Sequence, residues 1–184
     1  MIHCNEDQDK DCDVRVPVSF PTGDFVQAGI NIRPFAKMIL EELSKYFEII
    51  VFTASHACYA NPVINYLDPD DKYISKRLFR ESCRQVSEGL YVKDLTIIKN
   101  RHMKNMILID NAAYSYSLQL NNGIPIIPFH DNKKDTELRE LATFLIEMTD
   151  VEDVRPILKD KFKNELIFEN AKNMSTLFKK IFGI

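Results

Sequence analysis

Apolar and polar residues alternate along residues 14–32, and this is the clearest pattern near the start of the chain. The alternation is interrupted once, by Pro-Thr-Gly-Asp at residues 21–24. A period of two on both sides of a turn sequence predicts a β-hairpin with one apolar face. Pro17 has no backbone N–H to donate, so we expect the first strand to lie at a sheet edge. Residues 1–13 carry five acidic residues against one lysine and predict a solvated, acidic loop.

Downstream of the hairpin, helical periods alternate with short apolar runs. Pro34 precedes apolar residues spaced three and four apart and predicts the start of a helix. Further helices are predicted at residues 57–67 and 135–148. Apolar runs typical of buried parallel strands lie at residues 49–52, 106–109 and 124–127. This alternation predicts an α/β fold, a parallel sheet with helices on both faces.

Composition and charge narrow the class of protein. A length of 184 residues fits one domain with a short appendage. The net charge of the chain is -3, whereas nucleic-acid-binding proteins usually carry a strongly positive surface. We therefore expect no direct nucleic-acid partner. The four cysteines form no Cys-x-x-Cys pair, and no apolar run approaches the roughly 18 residues that a membrane span needs. We therefore expect no cysteine metal site, no membrane span and a reducing compartment, nuclear or cytoplasmic.

The last part of the chain, residues 155–184, mixes six lysines with large apolar residues and predicts a basic amphipathic tail. Such a tail can lie on a membrane or bind the groove of a partner. We expect instead that it packs its apolar stripe against its own domain.

Polar residues that suit phosphate chemistry follow two of the predicted strands. Thr53-Ala54-Ser55 offers a hydroxyl and successive backbone N–H groups, which bind anions. Asp110-Asn111 offers the oxygen ligands that Mg²⁺ prefers, and Lys93 lies between the two segments in sequence. Ligands of open parallel sheets bind beyond the carboxyl ends of the strands. Each segment alone has a structural explanation, as a helix cap, a turn or an exposed charge, but together they predict an Mg²⁺-dependent phosphoryl-transfer site.

Several segments, in order along the chain, resemble the small carboxy-terminal-domain phosphatases, the NLI-interacting-factor-like branch of the haloacid dehalogenase superfamily. They are residues 52–55, 78–83, 91–95, 108–111 and 131–138. The resemblance implies a Rossmann-like phosphatase domain over residues 1–154, with an inserted hairpin at 14–33, followed by the tail at 155–184. It also implies Mg²⁺-dependent hydrolysis of phosphoserine or phosphothreonine in proteins or peptides through an aspartyl-phosphate.

The resemblance assigns roles to individual residues. Thr53 would hydrogen-bond the phosphoryl group, and Lys93 would neutralise its charge. Asp110 and Asn111 would serve the Mg²⁺ site. The substrate itself would be bound at Ala54 and Arg80.

One part of the family pattern is missing. The family's nucleophile lies in an Asp-x-Asp-x-Thr/Val sequence that closes the first, central strand, where the first aspartate attacks phosphorus and the second is general acid and base. Residues 1–6 resemble the segment that comes after that sequence in the family. The aspartate pairs at residues 7 and 9 and at residues 11 and 13 follow no apolar strand, so we do not expect either to be the nucleophile.

Without the central strand, we expect the chain to fold poorly alone, to be inactive as given and to be N-terminally incomplete. The alternative is a non-catalytic phosphopeptide-binding or scaffold module, a pseudophosphatase. A third hypothesis is a structural subunit resembling the mitochondrial inner-membrane translocase member of the family. Ala112-Ala113 replaces a Ser-Pro pair common in the family, which leaves the shape of that loop open, and the oligomeric state is open as well.

Overall fold

The computed structural model describes residues 2–5, 11–166 and 169. The strands are β1 Ile2–Asn5, β2 Val14–Ser19, β3 Phe25–Ile32, β4 Ile49–Phe52, β5 Ile74–Leu78, β6 Arg84–Ser87, β7 Leu90–Val92, β8 Leu108–Asp110 and β9 Gly123–Pro125. The α-helices are α1 Ala36–Leu43, α2 Ala57–Leu67, α3 Glu137–Glu147 and α4 Val154–Phe162. Short 3-10 turns lie at Arg80–Ser82, Leu95–Ile97, Met103–Asn105, Ala113–Tyr116 and Leu120–Asn122.

The chain divides into two compact units. The first comprises the described residues up to Tyr91 together with Ile127–Asp150. The second comprises Val92–Ile126 together with the described residues from Val151 onwards. Each unit has its own parallel strand pair, β4 with β5 in the first and β8 with β9 in the second.

The predicted hairpin is confirmed in the first unit, where β2 and β3 pair antiparallel from Val14 opposite Ile30 to Ser19 opposite Phe25. Its inward-facing residues pack on α2, and the buried members of this core are Val16, Val18, Ile30 and Val63. β2 lies at the edge of a three-stranded sheet in the order β1-β3-β2, as Pro17 predicts.

The loop predicted over residues 1–13 is wrong at its start, because Ile2–Asn5 form β1 and pair antiparallel with the second edge of β3. A four-residue strand is too short to be distinguished from a loop by its pattern alone, and the edge of β3 supplies the pairing. The acidic residues 6–10 lie outside the described residues.

The single parallel sheet predicted from the apolar runs is found as two separate pairs. In the part of the chain that is described, β4 pairs with β5 alone and β8 with β9 alone. β4 was predicted to be buried, yet all four of its residues, Ile49–Phe52, are only half-buried. A strand that is paired along one edge keeps part of its side chains accessible, which explains the difference.

The second unit is built around Leu95, Leu108 and Tyr116, which form its buried apolar cluster. Gly123 at the start of β9 lies against the Tyr116 ring, where an added Cβ would come within 2.3 Å of ring carbon Cδ2. α4 packs against the 3-10 turn at Leu120–Asn122 and against β9, burying Val154 and Leu158. Beyond α4, Leu166 is exposed, and the later apolar residues of the tail, such as Leu177 and Phe178, lie outside the described residues. No described helix is long and apolar enough to cross a membrane.

A buried ion pair ties the end of β3 to the start of α3, 102 residues later. The Arg33 guanidinium is 1% exposed and donates from Nε and Nη2 to the two carboxylate oxygens of Asp135, at 2.7 and 2.8 Å. Its Nη1 donates to the carbonyl oxygen of Ile127 at 2.8 Å. These bonds from Arg33 outweigh burial and lower the pKa of Asp135 below its ordinary value.

Replacing Arg33 should therefore destabilise the first unit strongly. Arg33→Met leaves the Asp135 carboxylate buried without its cation, and loss of one partner of a buried pair costs about 3–5 kcal/mol. The stability of Arg33→Lys should lie between that of the parent protein and that of Arg33→Met, because an ammonium keeps the positive charge but cannot bond both carboxylate oxygens as a guanidinium does. Urea unfolding measures the change. Lys45→Ala, which breaks an exposed ion pair with Glu42 in the same unit, is the control and should leave the unfolding midpoint near that of the parent protein.

The same pair predicts a dependence of stability on pH. Because the pKa of Asp135 is lowered in the folded state, its contribution is complete above the ordinary value of 3.8 and is lost as the pH falls through the folded pKa. The difference in unfolding free energy between the parent and Asp135→Asn should be constant above about pH 5 and should shrink at lower pH. A difference that grows on acidification would contradict this assignment.

Candidate functional site

The predicted anion-binding segment follows β4 directly, and backbone pairing holds it in place. The N–H of Thr53 donates to the carbonyl oxygen of Leu78 at 2.9 Å, extending the parallel pairing beyond the end of β4. The N–H of Ser55 donates to the Thr53 hydroxyl oxygen at 3.1 Å, which closes a tight turn. The Thr53 hydroxyl accepts in this bond and can still donate its own proton.

Arg80 is brought to the same turn from the segment that follows β5. Its Nε donates to the carbonyl oxygen of Ala54 at 2.7 Å, and its backbone N–H donates to that of Ser55 at 3.1 Å. Its Nη1 lies 2.8 Å from His56 Nε2, and its guanidinium carbon lies 5.1 Å from the centre of the Tyr91 ring. The predicted residues Thr53, Ala54 and Arg80 are therefore neighbours, and the guanidinium is fixed on three sides.

A surface pocket of about 540 Å³ lies beside Arg80. Phe20 and Pro21 from the hairpin turn line one part of it, and His56–Tyr59 at the start of α2 line another. Arg80 and Glu81 complete the wall. An apolar lip with a fixed guanidinium at one side suits an extended peptide that carries an anionic group.

Sequence reasoning missed His56 and Tyr91, both of which contact Arg80. His56 follows Thr53-Ala54-Ser55 immediately, and Tyr91 lies two residues before Lys93. Closeness in sequence to a predicted site residue was the available signal. Nothing in the spacing along the chain indicates that both side chains contact the guanidinium of Arg80.

The other predicted residues lie in the second unit, around the end of β8. Lys93 and Asp110 form an ion pair through Nζ and Oδ2, and their side chains are 10% and 9% exposed. Asp110 Oδ1 accepts the backbone N–H of Ala112 at 2.8 Å. Lys93 is held by its backbone as well, since its N–H donates to the carbonyl oxygen of Ser115 at 2.8 Å. The interpretation of Lys93 as a solvent-exposed charge is therefore wrong.

The loop after β8 keeps a defined turn although it lacks the Ser-Pro pair. The bond that closes it uses the backbone N–H of Ala112, which any residue other than proline supplies at that position. Asn111 is exposed at the tip of this turn, directly after the Asp110 carboxylate.

Asp110 and Asn111 have the chemistry that Mg²⁺ requires. Mg²⁺ is commonly held by one or two carboxylates, with waters and substrate phosphate as the remaining ligands. The carboxylate of Asp110 and the amide oxygen of Asn111 fit that pattern. In the described part of the chain, no cluster of three or more His, Cys, Asp or Glu residues forms a metal cage of protein side chains alone.

Two other acidic residues have structural roles. Asp13 accepts the Ile32 N–H at 2.7 Å and pairs with Lys133, whose bond lowers the pKa of Asp13. Asp68 is 1% exposed and accepts backbone N–H groups after α2; burial raises its pKa, but these bonds outweigh burial and the net pKa is lowered. Asp13 therefore fastens β3, in keeping with its exclusion as nucleophile, and Asp68 closes the turn into β5.

The family model of NLI interacting factor-like phosphatases matches residues 1–155 of the chain. CTD small phosphatase-like protein 2 of Dictyostelium discoideum is 40% identical over 163 residues, which are 89% of this chain and 28% of that protein. The mitochondrial import inner membrane translocase subunit TIM50 of Candida glabrata is 40% identical over 151 residues, which are 80% of this chain and 30% of that protein. The chain thus spans less than a third of either relative.

A solved structure of the fission yeast RNA polymerase II CTD phosphatase Fcp1, bound to beryllium fluoride, is similar with a TM-score of 0.57. The match covers 92% of this chain and 53% of that one at 17% sequence identity. The similarity confirms the predicted α/β fold of the haloacid dehalogenase type.

The buried pair of Lys93 and Asp110 generates a test of how the second unit holds its charges. Lys93→Met should lower the free energy of unfolding by about 3–5 kcal/mol, because the Asp110 carboxylate stays buried without its cation. Lys93→Met combined with Asp110→Asn should recover part of that loss, since both charges are then absent. Urea unfolding of the single and double variants measures the coupling. Additive losses would show that the two side chains do not stabilise each other.

Proposed function

The chain belongs to the NLI interacting factor-like phosphatase family, and we propose that it is a protein serine/threonine phosphatase domain. Its partner is a phosphorylated protein or peptide, and its reaction is hydrolysis of a phosphomonoester through an aspartyl-phosphate. The observation that carries the proposal is the fixed guanidinium of Arg80, which is bound to the turn that contains Thr53 and lines a pocket of about 540 Å³.

Arg80 is arranged to bind oxygen atoms of a substrate. An arginine side chain has five N–H donors, and two of those of Arg80 are directed at the carbonyl oxygen of Ala54 and at His56. The remaining donors are available to a phosphate or a peptide carbonyl. Because the guanidinium is planar, two of its N–H groups can bond two oxygen atoms of one phosphate at the same time. Since the guanidinium is already fixed, little conformational entropy is lost on binding.

The resemblance to the phosphatase family assigns two further roles in this proposal, one to Thr53 in the first unit and one to Lys93 in the second. The Thr53 hydroxyl donates its free proton to a phosphoryl oxygen. Lys93 provides a fixed positive charge in a setting with little water, where electrostatic stabilisation is stronger than in bulk solvent. Asp110 keeps the ammonium oriented and prevents Lys93 from remaining an uncompensated buried charge.

Asp110 and Asn111 would hold Mg²⁺ through one carboxylate and one amide oxygen. Held there, Mg²⁺ would supply positive charge against the negative charge of a bound phosphoryl group. Within the chain itself, Asp110 has a second task as the acceptor of the Lys93 ammonium.

No apolar run in the 184 residues ends in an Asp-x-Asp-x-Thr/Val sequence, so these residues do not supply the attacking aspartate in the way the family does. We therefore propose that these residues bind the phosphorylated substrate without hydrolysing it, and that hydrolysis requires a strand that ends in that sequence. The same observation favours the second candidate, a non-catalytic phosphopeptide-binding or scaffold module. The two candidates differ in whether a supplied strand confers turnover.

We also propose the kind of partner and the compartment. The net charge of -3 supports the absence of a direct nucleic-acid partner. The nucleus or the cytoplasm is the proposed compartment, and cell fractionation that finds the protein in mitochondria would contradict it and favour a role like that of the translocase relative.

Binding of a phosphoserine peptide, measured by isothermal titration calorimetry with Mg²⁺ present, tests the proposed recognition. The phosphorylated peptide should bind and the unphosphorylated peptide should not. Arg80→Gln should weaken binding about ten-fold or more, because hydrogen bonds to charged groups contribute about 1.5–3 kcal/mol each. Arg84→Gln removes an exposed arginine four residues later and should leave affinity unchanged. Equal affinity for both peptides would reject the proposal.

A further inference from the structure

His56 makes a hydrogen bond that is possible in one protonation state only. Its Nε2 lies 2.8 Å from Nη1 of Arg80. An arginine side chain is always protonated and has donors but no acceptor, so Arg80 donates and His56 Nε2 accepts. A ring nitrogen that accepts carries no proton, and the imidazole must therefore be neutral with its proton on Nδ1.

The imidazole of His56 is not used by the helix that it precedes. His56 is the N-cap of α2, with an extended backbone at φ -67° and ψ 147° and no capping bond from its side chain. Its backbone carbonyl oxygen accepts the N–H groups of Tyr59 and Ala60, at 3.1 and 2.9 Å. Serine, threonine, aspartate and asparagine are the usual residues at this position because their side chains cap the helix. Here the side chain is directed at Arg80 instead.

Arg80 has three contacts that fix its guanidinium, and His56 is the one that protonation can remove. The carbonyl oxygen of Ala54 is an amide oxygen without an ionisable proton, and Tyr91 contacts the guanidinium with its ring. Protonated His56 would lose its acceptor and would place a second positive charge next to the guanidinium. His56 is exposed, so protons reach it without any rearrangement of the fold.

Other titratable groups around His56 modify this effect. Cys58 and Tyr59 line the same pocket from α2, and Glu81 lines it from the turn after Arg80. The hairpin turn contributes only the uncharged Phe20 and Pro21. Glu81 is the one acidic residue among these and would attract a protonated His56. It therefore favours protonation of the imidazole and loss of the hydrogen bond between Arg80 and His56.

We propose that His56 is a positioning residue, which as the neutral, Nδ1-protonated imidazole holds Arg80 in the orientation that binds the phosphorylated substrate. The inference rests on the proposed function, because it concerns how Arg80 is prepared for that substrate. It makes substrate affinity depend on pH through a group that does not contact the phosphate.

The geometry is tested first on the ligand-free chain. Nuclear magnetic resonance of ¹⁵N-labelled histidine at pH 8 should show that Nδ1 of His56 carries the proton and Nε2 does not, and that acidification to pH 5 shifts the Nε resonance of Arg80. His56→Gln should abolish the shift of Arg80. A proton on Nε2 at pH 8, or a shift of Arg80 that persists in His56→Gln, would overturn the inference whether or not the domain is a phosphatase.

Binding of the phosphoserine peptide between pH 5 and pH 8 tests the consequence. The second ionisation of the phosphate itself falls in this range, so each variant is compared with the parent at the same pH. His56→Gln keeps an acceptor for Arg80 but cannot be protonated, and should bind about ten-fold more tightly than the parent at pH 5 and equally at pH 8. His56→Leu should bind about ten-fold more weakly than the parent at pH 8.

The controls separate this inference from the proposed function. His102→Gln changes an exposed histidine in the second unit and should follow the parent at every pH. If the peptide fails to bind to the parent at all, the proposed function fails while the resonance experiment still decides on the contact between His56 and Arg80. If the peptide binds and His56→Gln follows the pH profile of the parent, His56 has no positioning role.

Discussion

The parallel register of β4 and β5 is the constraint on which the candidate site depends. Phe52 stands opposite Leu78 at the ends of the two strands, and the pairing continues one step further through the bond from Thr53 to Leu78. Two parallel strands that end at the same level bring the residues after them to the same edge. Thr53 and Arg80, 27 positions apart in the sequence, are neighbours for this reason. The guanidinium then needs only local contacts to be fixed.

Two buried ion pairs illustrate that burial of a charge does not by itself identify a functional site. The pair of Arg33 and Asp135 joins β3 to α3 and has a structural role, with each guanidinium nitrogen donating to a carboxylate or carbonyl oxygen. The pair of Lys93 and Asp110 is also largely buried, but it lies at the end of a parallel strand, next to the exposed Asn111. Position at the end of a parallel strand, rather than burial, distinguishes the second pair as a candidate for chemistry.

The sequence predicted those parts of the molecule that follow from a regular period or from a residue at a strand end. The hairpin, α2 and the position of Thr53 after β4 are of this kind, whereas Arg80 was assigned to the same site only through the resemblance to the phosphatase family. It could not predict β1, since four residues carry too little pattern and the strand exists through its pairing with β3. The half-buried state of β4 depends on which strands pair with it, and the contact of His56 with Arg80 depends on side-chain directions, so neither can be read from spacing.

The central claim is that the chain contains the phosphate-recognition residues of a phosphatase but not the strand that carries its attacking aspartate and its general acid and base. Phosphate release from a phosphoserine peptide, measured with an apolar strand ending in Asp-x-Asp-x-Thr joined ahead of Met1, tests this claim most directly. We expect Mg²⁺-dependent release by the extended chain, and none by the 184-residue chain or by an extended chain whose first aspartate is asparagine. An extended chain that binds the peptide but releases no phosphate would contradict the claim, as would release by the unextended chain at the same rate.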